Sequence, residues 1–557
     1  MARLGHWATT SAGTPRPRGD ALRAALVLAL LALPTLSGAA LAAGPVDGAP
    51  SIGDPYFPKL GNGGYDVQHY DLSLDFDLTR RTVAGVASIE LTPTVALRSL
   101  TFDLDGLKVS GVEVDGATAG FAQEAKKLRV EPAQPLAEDQ PAVVRVAYSG
   151  RPQGANLLGW FWFSGGGALL SPQPSGASTL FPCNDHPLDK ATFAFHLTVP
   201  QGRVAVANGI LDSQTTTADG RQRFDWHEPA SFPTYAAVVA VGRYRLVEGT
   251  TADGLPALNA FPKAGQKLAR RVEPQGRIVS TLEQYFGPYP YSGIGAIIIT
   301  KSGPDAMEAA GRPTYPGVRA ALRSRGFEQL MAHEIAHQWV GDTASFTKWQ
   351  DIWLSEGFAT YGELLWIADS RQLPIGSLFD RGSRYFGYYQ GMKRPPGDPG
   401  PSRIFNVTVY NRGAMTLEAL RRTVGDEAFF QILREWVVLH RGGNATTDDF
   451  IQLAESVSGQ DLDALSQRWL YESGLPQLPA EGGPPGALDP AVPESELLDD
   501  ATFRGHRVDD AGNGGANGAS ASGKADRHGQ RRANRSRRHA ADGSRHEATS
   551  GSNGSEP

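Results

Sequence analysis

From His69 to Leu78 apolar and polar residues alternate one for one in HYDLSLDFDL, the period of a half-buried strand. ASIELTP, SLTFDLDG, VVRVAYSG, ATFAFHLTVP and AAVVAVGRYRL continue the pattern, with turn residues between them and no helical period of similar strength. The spacing predicts an antiparallel β domain over residues 65–245. From about Leu246 the period changes. RRVEPQGRIVSTLEQYFGPYP has helical spacing and ends at Gly-Pro, and GIGAIIIT is a short continuous apolar run suited to a buried strand. FEQLMAHEIAHQWV, EGFATYGELLWIADS, GAMTLEALRRTV, EAFFQILREWVVLH, TDDFIQLAESVS and DLDALSQRWLYES then read as successive helices. The chain is therefore expected to be α+β, with a β domain followed by a mixed domain over 246–477 whose helices come after its sheet.

Both ends lack this patterning. Arg16, Arg18 and Arg23 precede an uncharged stretch from Ala24 to Ala43, broken at Pro34, and Ala40-Leu41-Ala42 puts small residues where a signal peptidase reads. Residues 1–42 are expected to be a signal peptide and 43–64 a linker, so the protein is expected to be secreted. The alternative is a membrane anchor, since an uncleaved segment of this length could just span a bilayer. After cleavage no stable membrane association is expected. From 478 to 557 the chain is rich in Gly, Pro, Ser and charge, with no face to bury, and reads as a disordered tail. Its basic cluster, Arg531 to Arg538, could touch an anionic surface, but a solvated tail is the default.

Composition narrows the chemistry. A net charge of −6 and a pI near 6.1 give no footprint for nucleic acid. The one cysteine, Cys183, excludes an intramolecular disulfide and a Cys-rich metal site, and reads as a buried apolar filler. Any metal must be held by histidines and carboxylates. HEIAH at 333–337 supplies two imidazoles four residues apart, on one helix face, able to share an ion. Glu334 lies on the adjacent face, within reach of a water on that ion without ligating it. By itself the pattern could also be an amphipathic helix with two chance histidines. Glu356, after 18 intervening residues, would complete a three-ligand zinc site with one open position; its bland alternative is a first-turn acid favoured by the helix dipole. Ser355 just before it reads as the N-cap of that helix. Glu363, two turns on, is either an acceptor for a ligand histidine or an exposed helix acid.

HEIAHQWVGD followed by WLSEGFATY resembles the aminopeptidase N family of zinc peptidases (gluzincins), the group that includes leukotriene hydrolase, and the chain looks like a short, secreted, bacterial-type member. Ser355 stands where the family usually has Asn. GNGGYDVQHYDL and FPCNDHPLDKATF also look like the family's first domain, so the resemblance covers about 65–477. It implies a saddle-like β domain, a thermolysin-like catalytic domain and one zinc per chain. It also implies hydrolysis of the N-terminal peptide bond of peptides with a free N-terminus, with Glu334 as general base on a zinc-bound water.

Three more positions carry over from the resemblance. Asp305-Ala306-Met307-Glu308-Ala309 matches the family's Gly-Ala-Met-Glu-Asn signature at Glu308, which implies a contact to the substrate α-amine; Asp305 and Ala309 depart from it. Gln173, in SPQPSG, is the second amine-binding candidate, and otherwise a loop residue. Tyr410-Asn411-Arg412-Gly413 matches a Tyr-x-Lys-Gly segment with Arg for Lys, which implies that Tyr410 stabilises the oxyanion. Larger members carry further domains after the catalytic one, a place held here by the low-complexity tail. The rivals are a thermolysin-like endopeptidase, which lacks the amine anchor, and a non-catalytic binding module, which would have a broken ligand set. Epoxide hydrolysis, known in one branch, has no distinctive support.

Overall fold

The computed structural model describes residues 44–154, 158–163, 165–299, 305–317, 324–380 and 394–481. The export segment expected at 1–42 and all but the first four residues of the 478–557 tail lie outside these. Alternation in HYDLSLDFDL becomes burial: Tyr70, Leu72, Leu74 and Phe76 are each at most 1% exposed. Their strand, Tyr65–Asp77, lies inside an eight-stranded sheet. Across that sheet the strands run Ile210–Thr216, Gln222–Pro233, Lys190–Val199, Tyr65–Asp77, Thr82–Pro93, Ala142–Gly150, Lys108–Val114 and Ala117–Thr118.

One pairing departs from the expected antiparallel arrangement. Lys190–Val199 runs parallel to Tyr65–Asp77, with Phe195 opposite Leu72, while every other neighbour pair in this sheet is antiparallel. The alternation is the same for either direction. No tight turn joins these two strands, so nothing local fixes their sense. Phe193, at their junction, stacks on Tyr70 at 5.0 Å and on Phe232 at 4.4 Å between ring centroids, which ties three strands together.

Strand Tyr244–Thr250 begins a separate four-stranded sheet, followed by Pro256–Pro262, Ile297–Ile299 and Thr314–Pro316. The apolar run Ile297–Ile299 supplies its fully buried third strand. Against the expected order, α1 (Gln275–Phe286) lies between the second and third of these strands; α2 (Ser324–Ala336), α3 (Trp353–Arg371), α4 (Gly413–Val424), α5 (Asp426–His440) and α6 (Thr447–Ser458) follow the sheet. Helix α3 is buried at every position from Trp353 to Ala368, so it is the central helix and carries no solvent face. It lies against α2 at Gly362, where a Cβ would come within 2.6 Å of the Ala336 side chain. That close approach sets the distance between the two helices.

The eight-stranded sheet and the turn that follows its strand Gln222–Pro233 are joined to the loops after α2 and α5 by hydrogen bonds. Tyr235 Oη donates to the Gly341 carbonyl at 2.7 Å. Lys190 Nζ donates to the carbonyls of Thr343, at 2.7 Å, and Gly443. At the other end, Leu478 packs on the core and Glu481 pairs with Arg421 at 2.6 Å and Arg422 at 3.1 Å. Replacing Lys190 with Met keeps the apolar stem and removes both donors. Two carbonyls at the junction then lose their partner, which costs about 1–3 kcal/mol. Calorimetry should show a lower Tm for Lys190→Met with zinc content unchanged; an unaltered Tm would show that water replaces the ammonium without cost.

Candidate metal centre and substrate pocket

One turn of α2 places His333 and His337 on the same face, with their Nε2 atoms 3.1 Å apart. Glu356, in the first turn of α3, brings Oε2 to 3.4 Å from His333 Nε2 and 3.3 Å from His337 Nε2. The three donor atoms form a nearly equilateral triangle, and all three residues are at most 2% exposed. Zinc binds such donors at about 2.0–2.1 Å in tetrahedral geometry, which puts neighbouring donors about 3.3–3.4 Å apart. The triangle thus has the dimensions of a zinc site with its fourth position left for water or substrate. Two imidazoles with one carboxylate suit zinc better than calcium or magnesium, which prefer oxygen donors.

Each imidazole is fixed from behind. His337 Nδ1 lies 3.2 Å from the Val340 carbonyl oxygen and 3.1 Å from Ser355 Oγ. A proton on Nδ1, donated to the carbonyl, leaves the Nε2 lone pair directed at the ion. His333 Nδ1 faces Glu363 Oε2 at 3.6 Å, and the other carboxylate oxygen of Glu363 accepts from Gln329 Nε2. Glu363 is buried, so the exposed-acid alternative is excluded by the fold. Ser355 is not the N-cap expected from the sequence. Helix α3 starts at Trp353 with Ile352 at the cap position and no capping side chain. The preceding short 3-10 turn at Trp349–Asp351 runs straight into the helix, which places Ser355 inside the first turn, facing the ligand. Gly341 makes room for it. Its φ is +111°, and a Cβ there would lie 2.3 Å from Ser355 Oγ.

The pocket is short of positive charge. Glu308, Glu334, Glu356, Glu363 and Asp342 are all buried around or beside the two imidazoles. Burial pushes the Glu334 carboxyl up to about 8, against the pull of His333 and His337. Burial would also raise Glu356, but His337 and His333 overcome it and hold that carboxyl down at about 2. Burial alone would lower His333; Glu356 and Glu363 overcome it and lift the imidazole to about 10. A divalent cation between these groups supplies the charge that the carboxylates otherwise draw from protons.

On the substrate side, Gln173 Nε2 donates to Glu308 Oε1 at 2.5 Å, so the two amine-binding candidates form one polar pair, Glu308 buried and Gln173 half-buried. The Glu308 carboxyl is raised by burial and feels His337 and Glu356, which sets it beside the metal triangle. The Tyr410 ring lies over His333, with centroids 5.8 Å apart and planes inclined by 24°. Burial and the carboxylates of Glu356, Glu308 and Glu334 push its phenol well above 10, so it stays a hydrogen-bond donor. All eight residues singled out in the sequence therefore meet in one place. Sequence reasoning missed Gln338. Its Nε2 donates to the Glu308 carbonyl at 2.8 Å and its Oε1 accepts from Gly311 N at 2.6 Å. It fastens the segment that carries Glu308 to the metal helix. Its only signal was position, an uncharged polar residue directly after His337.

A two-histidine, one-carboxylate triangle faced by a buried glutamate defines a metallopeptidase-type centre. Two family models match the chain: the Peptidase M1 N-terminal domain over residues 66–236 and the Peptidase family M1 domain over 271–469. An M1 zinc metallopeptidase from Deinococcus radiodurans, solved as a mutant bound to a Tyr-Ser-Ala substrate, is 31% identical with a TM-score of 0.70. The match covers 77% of this chain and 100% of that one. A two-domain M1 zinc metallopeptidase mutant bound to L-arginine is 30% identical with a TM-score of 0.69, at the same coverage. Aminopeptidase M1 of Arabidopsis thaliana is 25% identical over 472 residues, which is 77% of this chain and 52% of that protein. Tricorn protease-interacting factor F2 of Thermoplasma volcanium is 25% identical over 74% of this chain and 54% of its own length. The chain spans about half the length of these curated relatives. It belongs to peptidase family M1 and takes zinc, for which His333, His337 and Glu356 form the candidate site. Elemental analysis of purified protein should find about one zinc per chain, as three protein ligands imply. His337→Ala should lose it, and a fully loaded variant would refute the ligand assignment.

Proposed function

We propose that the protein is a zinc aminopeptidase that removes the N-terminal residue of peptides with a free α-amine. The observation that carries this is the buried Glu308, hydrogen-bonded by the half-buried Gln173, beside the ligand triangle. A carboxylate held there by an amide has one oxygen committed to Gln173 and can offer the other to a substrate ammonium. Anchoring the ammonium leaves only the first peptide bond within reach of the metal. The solved relatives with Tyr-Ser-Ala and L-arginine bound support the same chemistry, since both ligands carry an α-amine.

When bound, zinc supplies a Lewis acid that lowers the pKa of water towards about 7 and polarises a carbonyl. Glu334 takes the proton from the attacking water and later returns it to the leaving amine. A buried glutamate beside the two imidazoles, ionised when the cation is present, can make both transfers. Tyr410 donates a hydrogen bond to the oxygen of the scissile carbonyl as negative charge develops on it. Glu363 and Ser355 orient the two histidines and take no part in proton transfer.

The domain division stays at about residue 245, supported by the change of sheet at Tyr244–Thr250. Export is supported by Arg16, Arg18 and Arg23 ahead of the uncharged segment. Among the described residues no helix is long and apolar enough to cross a membrane.

Two measurements test the mechanism. Glu334→Gln should keep its zinc and lose kcat by a factor on the order of 10² or more; retained turnover would remove Glu334 from the proton path. The second compares one short peptide with free and acetylated N-termini. A charge-assisted hydrogen bond to Glu308 is worth about 1.5–3 kcal/mol, and acetylation also leaves that carboxylate buried without its partner. The free peptide should be preferred by at least about 10² in kcat/KM, and much less so by Glu308→Ala. Equal cleavage of the two peptides by the wild type would favour the endopeptidase reading.

A further inference from the structure

Tyr410 sits on an unusual piece of backbone. Residues Thr408–Arg412 form one turn of π-helix that runs directly into α4. Such turns insert an extra residue into a helix and persist only where their surroundings hold them. Two contacts hold this one. On one side the backbone of Gly413 touches that of Gly357, the residue after the ligand Glu356. A Cβ on either glycine would lie 2.8 Å from the other's Cα. The oxyanion candidate and the metal ligand are thus set by one backbone-to-backbone contact.

On the other side is Arg412, fully buried. Its Nε donates to the Trp469 carbonyl at 2.9 Å. Nη1 donates to the carbonyls of Arg394 at 3.1 Å and Gly474 at 2.5 Å, and Nη2 to those of Arg468 at 3.0 Å and Glu472 at 2.7 Å. A guanidinium has five N–H donors in a fixed plane, and five backbone carbonyls receive them here. Four of those carbonyls lie in 468–474, at the end of a second π-turn, Gln467–Tyr471, where a helix leaves its last carbonyls unbonded. Glu472 and Gly474 fall beyond residue 469, where the family match ends. Lysine, with three donors on a single nitrogen, cannot span this set.

We infer that Arg412 is a positioning residue: it clamps the Tyr410 turn to the segment 468–474 and so fixes the phenol relative to the metal triangle. The inference rests on the oxyanion role proposed for Tyr410. The device works from both sides, with Gly357 setting how close the turn comes to α3 and Arg412 keeping it from swinging away.

The test is a double-mutant cycle on the aminoacyl-coumarin that the enzyme cleaves best, using the full chain. Arg412→Lys should lower kcat about 10- to 100-fold, the range for a misplacement on the order of 1 Å, with KM within about threefold and zinc content unchanged. In a Tyr410→Phe background the same change should cost less than about twofold, because the group it positions is gone. Gly413→Ala approaches the turn from the other side and should show the same non-additivity, which keeps the test open should Arg412→Lys fold poorly. Equal losses of kcat in both backgrounds, or a lower Tm with kcat intact, would overturn the positioning role. If Tyr410→Phe alone left kcat unchanged, the oxyanion reading would fall, and the clamp with it; an impaired Tyr410→Phe with additive losses would remove the clamp alone.

Discussion

Everything at this site follows from burying several carboxylates around two imidazoles. Glu308, Glu334, Glu356 and Asp342 cannot all be ionised in a water-poor pocket without cationic charge between them. The shifts show the strain: Glu334 is drawn up to about 8 and His333 to about 10, while Glu356 stays at about 2 only because the histidines face it. A dication in the ligand triangle relieves this. Metal binding therefore adds to the local stability of a site whose donors already lie together.

Holding that triangle requires two helices at a closer distance than ordinary side chains permit. Small residues allow that approach and two others around the site. Gly362 lies against Ala336, Gly341 leaves room for Ser355, and Gly357 meets Gly413. The first sets the spacing of α2 and α3, the second lets Ser355 reach His337, and the third brings the Tyr410 turn to the ligand. Adding a methyl group at any of these positions would displace a functional side chain before it opened a cavity. The β region then closes the substrate end. Gln173 comes from it to meet Glu308, and Tyr235 and Lys190 bind its strands to the loop that follows α2.

Much of this was legible along the chain. Period two in HYDLSLDFDL and period 3.6 in FEQLMAHEIAHQWV gave strands and helices, because burial on one face repeats at the period of the backbone. The metal ligands were legible for the same reason: His333 and His337 share a face only if the segment is helical, and it is. Glu356 was read from its 18-residue spacing after His337, while Glu308, Gln173 and Tyr410 entered through motif resemblance, since no local period connects residues so far apart. Ser355 was misassigned because a serine ahead of an apolar helix has the local signature of a cap. Whether it caps or lies within the first turn depends on the turn at Trp349–Asp351, which propensity alone does not specify.

What the sequence by itself determined is local: the order and kind of elements, the shared face of His333 and His337, and the exclusion of cysteine ligands. Tertiary structure decided the rest. It alone made Lys190–Val199 parallel to Tyr65–Asp77, because alternation is blind to direction. It buried Glu363 against His333 and joined Gln173 to Glu308 across 135 positions. It also delivered the five carbonyls that hold Arg412, since backbone acceptors are present at every residue and leave no mark in the sequence until packing brings them together.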